Sequence, residues 1–582
     1  MLRTEPIIFS PVDNKTLFFA GNTMWKTIDG GNNWTQVSPD LTRKTWDIPA
    51  AQVGKYKDQA QKQVSDRGVI YTIAPSFQDI DRIWAGTDDG LIHITTDGGK
   101  NWKDITPPML QPWMKVSIID AGHYDKDTAY AAINTLRLDD NRPHILRTHD
   151  GGKTWTEIVN GIPGGQTINV VREDPVRKGL LYAGSERQVY VSFDDGDNWQ
   201  SLRVNMPATS IRDLIIKGDD LCVATHGRGF WILDNVTPIR QLAASRDTHL
   251  FEPQTAWRMR FNLNSDTPLP PDEAYQENPP DGAAIDYYLA SNARSVELEI
   301  KDPTGRVVRT YRNTDSLPEI KDIGNWPAYW LRRPQALSNS AGAHRFFWDM
   351  HYTPIPGVPP EYPIAANFMN TAPVPTAPWA QPGRYKVTLR VDGKESSQSF
   401  EIRMDPRVRA TENELKEQFD LSMSLYELRM RFEVANRQIG GLSTQLQAAK
   451  KTANAATAAQ IDAFLAKLAD VASGPGGRRR GGGAAASGQL SFGINDRIAQ
   501  IFGTLQEADV APTSVTEAAA HDLIKQGGDT IAAWDSLLKN DLPQMQNFFK
   551  QNNLPELKLV AKEMNHRFPV DKDENEETWT KP

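Results

Sequence analysis

Thr27-Ile-Asp29-Gly-Gly31-Asn-Asn-Trp34 decides the reading of the fold, because the chain repeats it. It returns as Thr95-Thr-Asp97-Gly-Gly99-Lys-Asn-Trp102, as Thr148-His-Asp150-Gly-Gly152-Lys-Thr154-Trp155 and as Ser192-Phe-Asp194-Asp-Gly196-Asp-Asn-Trp199. The shared pattern, Ser/Thr-x-Asp-x-Gly-x-x-Trp, has the chemistry of a hairpin turn. Asp accepts hydrogen bonds from backbone N–H groups a few residues on, and Gly supplies a positive φ. The hydroxyl and a buried Trp are expected to pin the turn onto neighbouring strands. Recurrence of this kind marks a solenoid or a propeller. The Asp positions are 29, 97, 150 and 194, so loops must absorb an uneven period.

Working outward, each phrase follows three short alternating runs and precedes a fourth. The first unit reads 7–10, 16–20, 24–27, turn, 34–37, and the second 68–75, 82–87, 91–96, turn, 102–105. The third and fourth occupy 115–159 and 168–202. A fifth, 211–216, 220–225 and 229–234, lacks the phrase. Four-stranded units in series predict β-propeller blades over 1–240. Five blades make either a five-bladed ring or the last five blades of a larger one. No spare strand is available to close a ring, which favours the second. Residues 40–66 form an insertion with a helical piece at 51–64.

The four phrases, with Thr225-His226-Gly227-Arg228-Gly229-Phe230-Trp231-Ile232-Leu233-Asp234 in the fifth unit, resemble the Asp boxes (BNR repeats) of sialidases, sortilin-type receptors and bacterial glycosyl hydrolase-like propeller proteins. The resemblance covers nearly the whole chain. It implies a structural role for Asp29, Trp34, Asp97, Trp102, Asp150, Trp155, Asp194 and Trp199, on the face away from any active site. It further implies the C-terminal portion of a longer protein with blades upstream, in a periplasmic or extracellular setting. The function it implies is to hydrolyse or bind saccharide; the alternative is a non-catalytic sortilin-like propeller that binds a peptide or protein, or acts as a scaffold.

In a propeller the loops joining strands 2 and 3 gather at one mouth of the channel. They carry Asp88, Asp89, Arg142, Glu186, Arg187, His226 and Arg228. Asp88, Asp89 and Glu186 are the catalytic candidates, since two carboxylates can serve as acid and base or nucleophile on a glycosidic bond. Arg142, Arg187, His226 and Arg228 are the binding candidates, since forked guanidinium bonds grip carboxylate or sulfate. The opposing reading is that loop tips are polar because they are wet and that these acids and arginines pair with one another. His226 and Arg228 equally fit a glycine-rich tight turn, and Cys222 fits a small core residue.

Bulk properties narrow the classes. The chain has 582 residues and a net charge of −8, which does not suggest a nucleic-acid partner. One cysteine excludes an internal disulfide. No apolar stretch reaches membrane-spanning length, no spacing matches a zinc site, and no cofactor is expected.

The remainder divides at changes of texture. A connector, 241–282, leads to alternating strands over 283–406, the pattern of an immunoglobulin-like β-sandwich, with hairpin turns at Asp302-Pro-Thr-Gly305 and Asp392-Gly393. Residues 407–570 predict an antiparallel helical bundle. Its first helix opens with the capping box Thr411-x-x-Glu414 and its fourth with Ser514-x-x-Glu517. A Gly/Arg loop at 474–488 is expected to be disordered, and 571–582 is an acidic tail. The fold class is mainly β with an α C-terminal domain.

Overall fold

The computed structural model describes residues 5–44, 68–242, 247–260, 279–317, 319–320, 327–363, 370–474 and 490–559. The helical piece at 51–64, the loop beyond Gly474 and the acidic tail lie outside them. The chain forms two compact units, Met1–Leu242 and Ala243–Pro582.

The first unit is a series of antiparallel sheets, each called a blade here. Blade 1 holds β1 (Ile7–Phe9), β2 (Leu17–Ala20), β3 (Met24–Thr27) and β4 (Thr35–Gln36). Blade 2 holds β5 (Ile70–Pro75), β6 (Ile83–Thr87), β7 (Ile92–Thr95) and β8 (Lys103–Asp104). Blade 3 holds β9 (Lys115–Ala121), β10 (Ala129–Asn134), β11 (Ile145–Thr148) and β12 (Thr156–Glu157). Blade 4 holds β13 (Ile168–Glu173), β14 (Leu181–Ser185), β15 (Val189–Ser192) and β16 (Gln200–Ser201). Blade 5 has only β17 (Ile211–Lys217), β18 (Asp220–Thr225) and β19 (Phe230–Leu233), followed by α1 (Thr237–Gln241).

Every four-stranded blade is a meander in chain order, so first strands lie at one edge and the two-residue fourth strands at the other. The first strands of blades 2 to 5 pack successively on one another. Their Ile, Val and Ala side chains fill the inter-blade cores, as apolar strands buried on both faces do. No strand of blade 1 pairs with one of blade 5 among the described residues. The series therefore stays open, as the missing closing strand predicts.

The repeated turn folds as its chemistry dictates. In the second copy the Asp97 carboxylate accepts from the Thr95 hydroxyl (2.9 Å), the Asn101 backbone N–H (2.9 Å) and the Asn101 side-chain amide (2.7 Å). These bonds, the Asn101 backbone bond foremost, hold the Asp97 carboxyl down at about 2. The tryptophans reach further than their own turn. Trp102 Nε1 donates to Val37 O (2.8 Å), Trp155 Nε1 to Ile105 O (3.1 Å) and Trp199 Nε1 to Ile158 O (2.9 Å). Each indole thus fastens its blade to the segment after the fourth strand of the blade before.

Trp34 corrects the expectation of a buried indole. It is 37% exposed, against 4% for Trp199, because no described blade precedes it. Cys222 is also corrected. It is half-buried, on the face of β18 opposite to Leu221 and Val223, and pairs with the exposed Ile215 and Ile232.

The second unit carries β20 (His249–Leu250), β21 (Ala256–Arg258), β22 (Ala283–Leu289), β23 (Val296–Lys301), β24 (Val307–Arg312), β25 (Gly342–Trp348), β26 (Gly383–Val391) and β27 (Lys394–Met404). They form a three-stranded sheet, β20-β22-β25, and a five-stranded sheet, β21-β27-β26-β23-β24, in which β21 runs parallel to β27. Phe346 and Trp348 point into the core as their alternation predicts.

Helices follow: α2 (Glu412–Lys450), α3 (Ala455–Ser473), α4 (Ile494–Gln506), α5 (Ser514–Asn540) and α6 (Leu542–Gln551). The same hydrophobic cluster runs from the sheets through α2 to α6. The capping box at Thr411 forms. At α5 the cap is Thr513 rather than Ser514: its hydroxyl accepts from Thr516 N, and Ser514 is already the first helical residue. The short α6 has no counterpart in the sequence reading.

Candidate functional site

The loops between second and third strands lie at the end of blades 2 to 5 opposite to the repeated turns, and the structure gives each candidate residue there a definite partner or none. Asp88 accepts from Val69 N (2.8 Å) and forms an ion pair with Arg137 of blade 3 (3.3 Å). Asp89 is buried and accepts from the Thr87 hydroxyl and from Arg43 N (2.8 Å). Burial pushes its carboxyl up, against the pull of those two bonds. Glu186 accepts from Asn169 (3.0 Å) and pairs with Arg212 of blade 5 (3.2 Å).

Arg142 is held by Asp140 (2.8 Å) on an exposed loop. The Arg187 side chain is exposed and has no partner among the described residues. His226 and Arg228 sit exposed on the Thr225–Phe230 turn, which Gly227 and Gly229 close at φ 87° and 67°.

Asp88 and Glu186 are thus latches between blades. Asn134 of blade 3 donates to Asn169 of blade 4 (2.6 Å), and Asn169 donates in turn to Glu186 and to Ile211 O of blade 5 (2.8 Å). One buried relay ties three blades together at the rim, where each polar group must find a partner.

A further group completes the rim. Lys115, the first residue of β9, lies with its ammonium 4.4 Å from the Tyr71 ring centroid, a cation–π distance. Its pKa is lowered to about 8, chiefly by burial and also by Arg137 and Arg212, with Asp88 and Glu186 opposing them. Trp113, at φ 69°, presents its ring to Arg137 at 5.9 Å. Lys115, Arg137 and Arg212 thus share one cluster with Asp88 and Glu186. Lys115, Tyr71, Trp113 and Arg212 were not among the sequence candidates because they sit on first strands and blade-to-blade segments, not on the loops between second and third strands. The signal was present: those segments open on the same mouth.

No protein-family model matches the chain, and no curated protein matches it. Among solved structures it is similar to the GH74 xyloglucanase from Xanthomonas campestris, at 11% identity, over 53% of this chain and 43% of that one, with a TM-score of 0.28. An ancestral GH74 enzyme aligns at 12% identity over 69% of this chain and 62% of its own, with a TM-score of 0.30. YCF48, solved with a D1 peptide, aligns at 15% identity over 43% of this chain and 94% of its own, with a TM-score of 0.21. The chain spans under half the length of the xyloglucanase it matches. No described helix is long and apolar enough to cross a membrane, and no group of three or more metal-ligating side chains occurs among the described residues.

Proposed function

We propose that the chain is a non-catalytic ligand-binding protein of the Asp-box β-propeller kind, whose rim at the channel mouth captures an acidic saccharide. The observation that carries this reading is the pairing of Asp88 with Arg137 and of Glu186 with Arg212. Two of the three candidate carboxylates are thus engaged in contacts between blades, the role of structural ion pairs rather than of an acid–base couple. Lys115 and Arg187 remain as cations for an anionic ligand, and the Tyr71 and Trp113 rings beside Lys115 and Arg137 are side chains of the kind that line saccharide sites. A peptide with an acidic side chain is the second reading, supported by the same cations.

A glycan array that includes uronic-acid and sialic-acid chains, followed by hydrolysis assays on each hit, tests the proposal. Binding lost in Lys115→Ala, with no turnover in the unaltered protein, supports it. Turnover that disappears in Glu186→Gln makes the protein a glycosidase instead.

The same reading includes an immunoglobulin-like spacer in the second unit, export to the periplasm or the surroundings, and a further four-stranded blade against blade 1. Two position-specific differences support that blade. A Cβ on Gly99, Gly152 or Gly196 would meet the preceding blade at 2.4, 2.4 or 2.3 Å, whereas one on Gly31 would meet only its own Trp34, at 3.8 Å. Ile7 and Phe9 of β1 are 62% and 58% exposed, where the first strands of blades 2 to 4 are mostly buried.

A further inference from the structure

Three departures from the internal repeat converge on one cavity at the opposite end of the blades. The cavity, about 140 Å³, lies between blades 3 and 4 beside the repeated turns. Glu173 lines it. In the other four-stranded blades the residue opposite the start of the second strand is Phe9, Pro75 or Ala121; here it is a carboxylic acid, 2% exposed. His149 lines it too, at the second place of the third turn, where the other turns have Ile28, Thr96 and Phe193. Asp195 is the third, at the place held elsewhere by Gly30, Gly98 and Gly151. It keeps the glycine conformation, φ 61° against 72° to 73°, which a side chain adopts only at a cost.

Asp195 is paired: it accepts from the Tyr130 hydroxyl and from His149 Nε2 (2.8 Å), and forms an ion pair with Arg147 (3.1 Å). Glu173 is not. It accepts only backbone N–H bonds, from His123 (2.8 Å) and Gly179 (3.4 Å), and no side-chain cation reaches it among the described residues. A buried carboxyl without a counter-ion is held back from ionising. The Glu173 carboxyl is accordingly pushed up to about 7, chiefly by burial, with Asp120 and Asp195 adding to the rise and the two N–H bonds opposing it.

The charged and titratable groups around it are Asp120, His123, Tyr124, Asp125, Tyr130 and His149 from blade 3, and Lys178 and Asp195 from blade 4. Asp120 is neutralised by Arg172 (3.2 Å). Lys178 is exposed and pairs with none of these acids.

We propose that this cavity is a binding site for a small organic monocation, a protonated primary amine held by the Glu173 carboxylate, with Asp195 and the Tyr124 and Tyr130 rings as walls. A volume of this order takes a ligand about the size of benzene. Amine entry supplies the charge that Glu173 lacks, so binding and ionisation of Glu173 are linked.

Isobutylammonium, isobutanol and isobutyrate, each titrated into the full chain at pH 6 and pH 8 by calorimetry, test this. The expected result is saturable binding of isobutylammonium alone. It should be about tenfold tighter at pH 8, since a carboxyl near 7 is roughly a tenth ionised at pH 6 and nine-tenths at pH 8. Glu173→Gln removes the pH dependence and weakens binding. Asp195→Gly weakens binding while restoring the glycine of the other three turns, so it keeps the test open if the first variant folds poorly. No saturable binding overturns the proposal, as does isobutanol binding equally well, or unaltered binding in both variants.

Discussion

At the scale of single residues, the repeat supplies its own controls. Trp199→Phe strips the donor from a buried bond to Ile158 O and leaves that carbonyl unpaired, so a loss of about 1–3 kcal/mol is expected. Trp34→Phe, on an exposed indole, should change stability by less than about 0.5 kcal/mol. Urea unfolding of the two variants checks the pair.

The turn aspartates make a second prediction. Asp29, Asp97 and Asp150 are held at about 2, by backbone and side-chain bonds within the turn. A folded-state pKa below the ordinary value adds stability above about pH 4, and that stability is lost as pH falls through 2. Thermal melts between pH 5 and pH 2 should therefore fall steeply. Glu173 acts with the opposite sign. Its raised carboxyl favours the fold most below its ordinary value, and that contribution is lost as pH rises through about 7. Glu173→Gln should flatten the stability curve between pH 5 and pH 8; an unchanged slope would contradict it.

At the scale of elements, the shared rim relay predicts that Asn169→Ala weakens the packing of three blades at once. It removes bonds to Glu186 and Ile211 O and strands the Asn134 amide, a cost of about 1–3 kcal/mol for each group left unpaired. Hydrogen exchange should quicken in β10, β14 and β17 together. For helix α5, Thr513→Ala should cost about 1 kcal/mol and Ser514→Ala almost nothing, which chemical denaturation resolves.

The elements also show where sequence is legible. Alternation and turn chemistry placed the strands of the first unit, since period-two patterns and Asp-x-Gly turns are local. The α5 cap slipped by one residue, because Thr513 and Ser514 are both good caps and only backbone geometry selects between them. Helix α6 escaped because Asp541 and Pro543 interrupt the pattern, although a new helix starts at Leu542 with the proline in its first turn. At the rim, local sequence left open whether Asp88 and Glu186 are catalytic or paired with arginines. Their partners Arg137 and Arg212 lie 49 and 26 residues on, a distance that no local pattern spans.

At the scale of the molecule, the central claim is that the rim binds an anion and performs no chemistry on it. Lys115 sets the pH range of that binding. Its ammonium, lowered to about 8 chiefly by burial, is charged below that value, so affinity for an acidic glycan should fall between pH 7 and pH 9. The measurement that tests the claim most directly is the affinity of the unaltered protein and of Lys115→Ala for an acidic glycan hit, with product analysis on the same samples. The account predicts saturable binding, a loss of at least tenfold in the variant, and intact glycan recovered from both. Cleaved glycan, or affinity indifferent to Lys115, would contradict it.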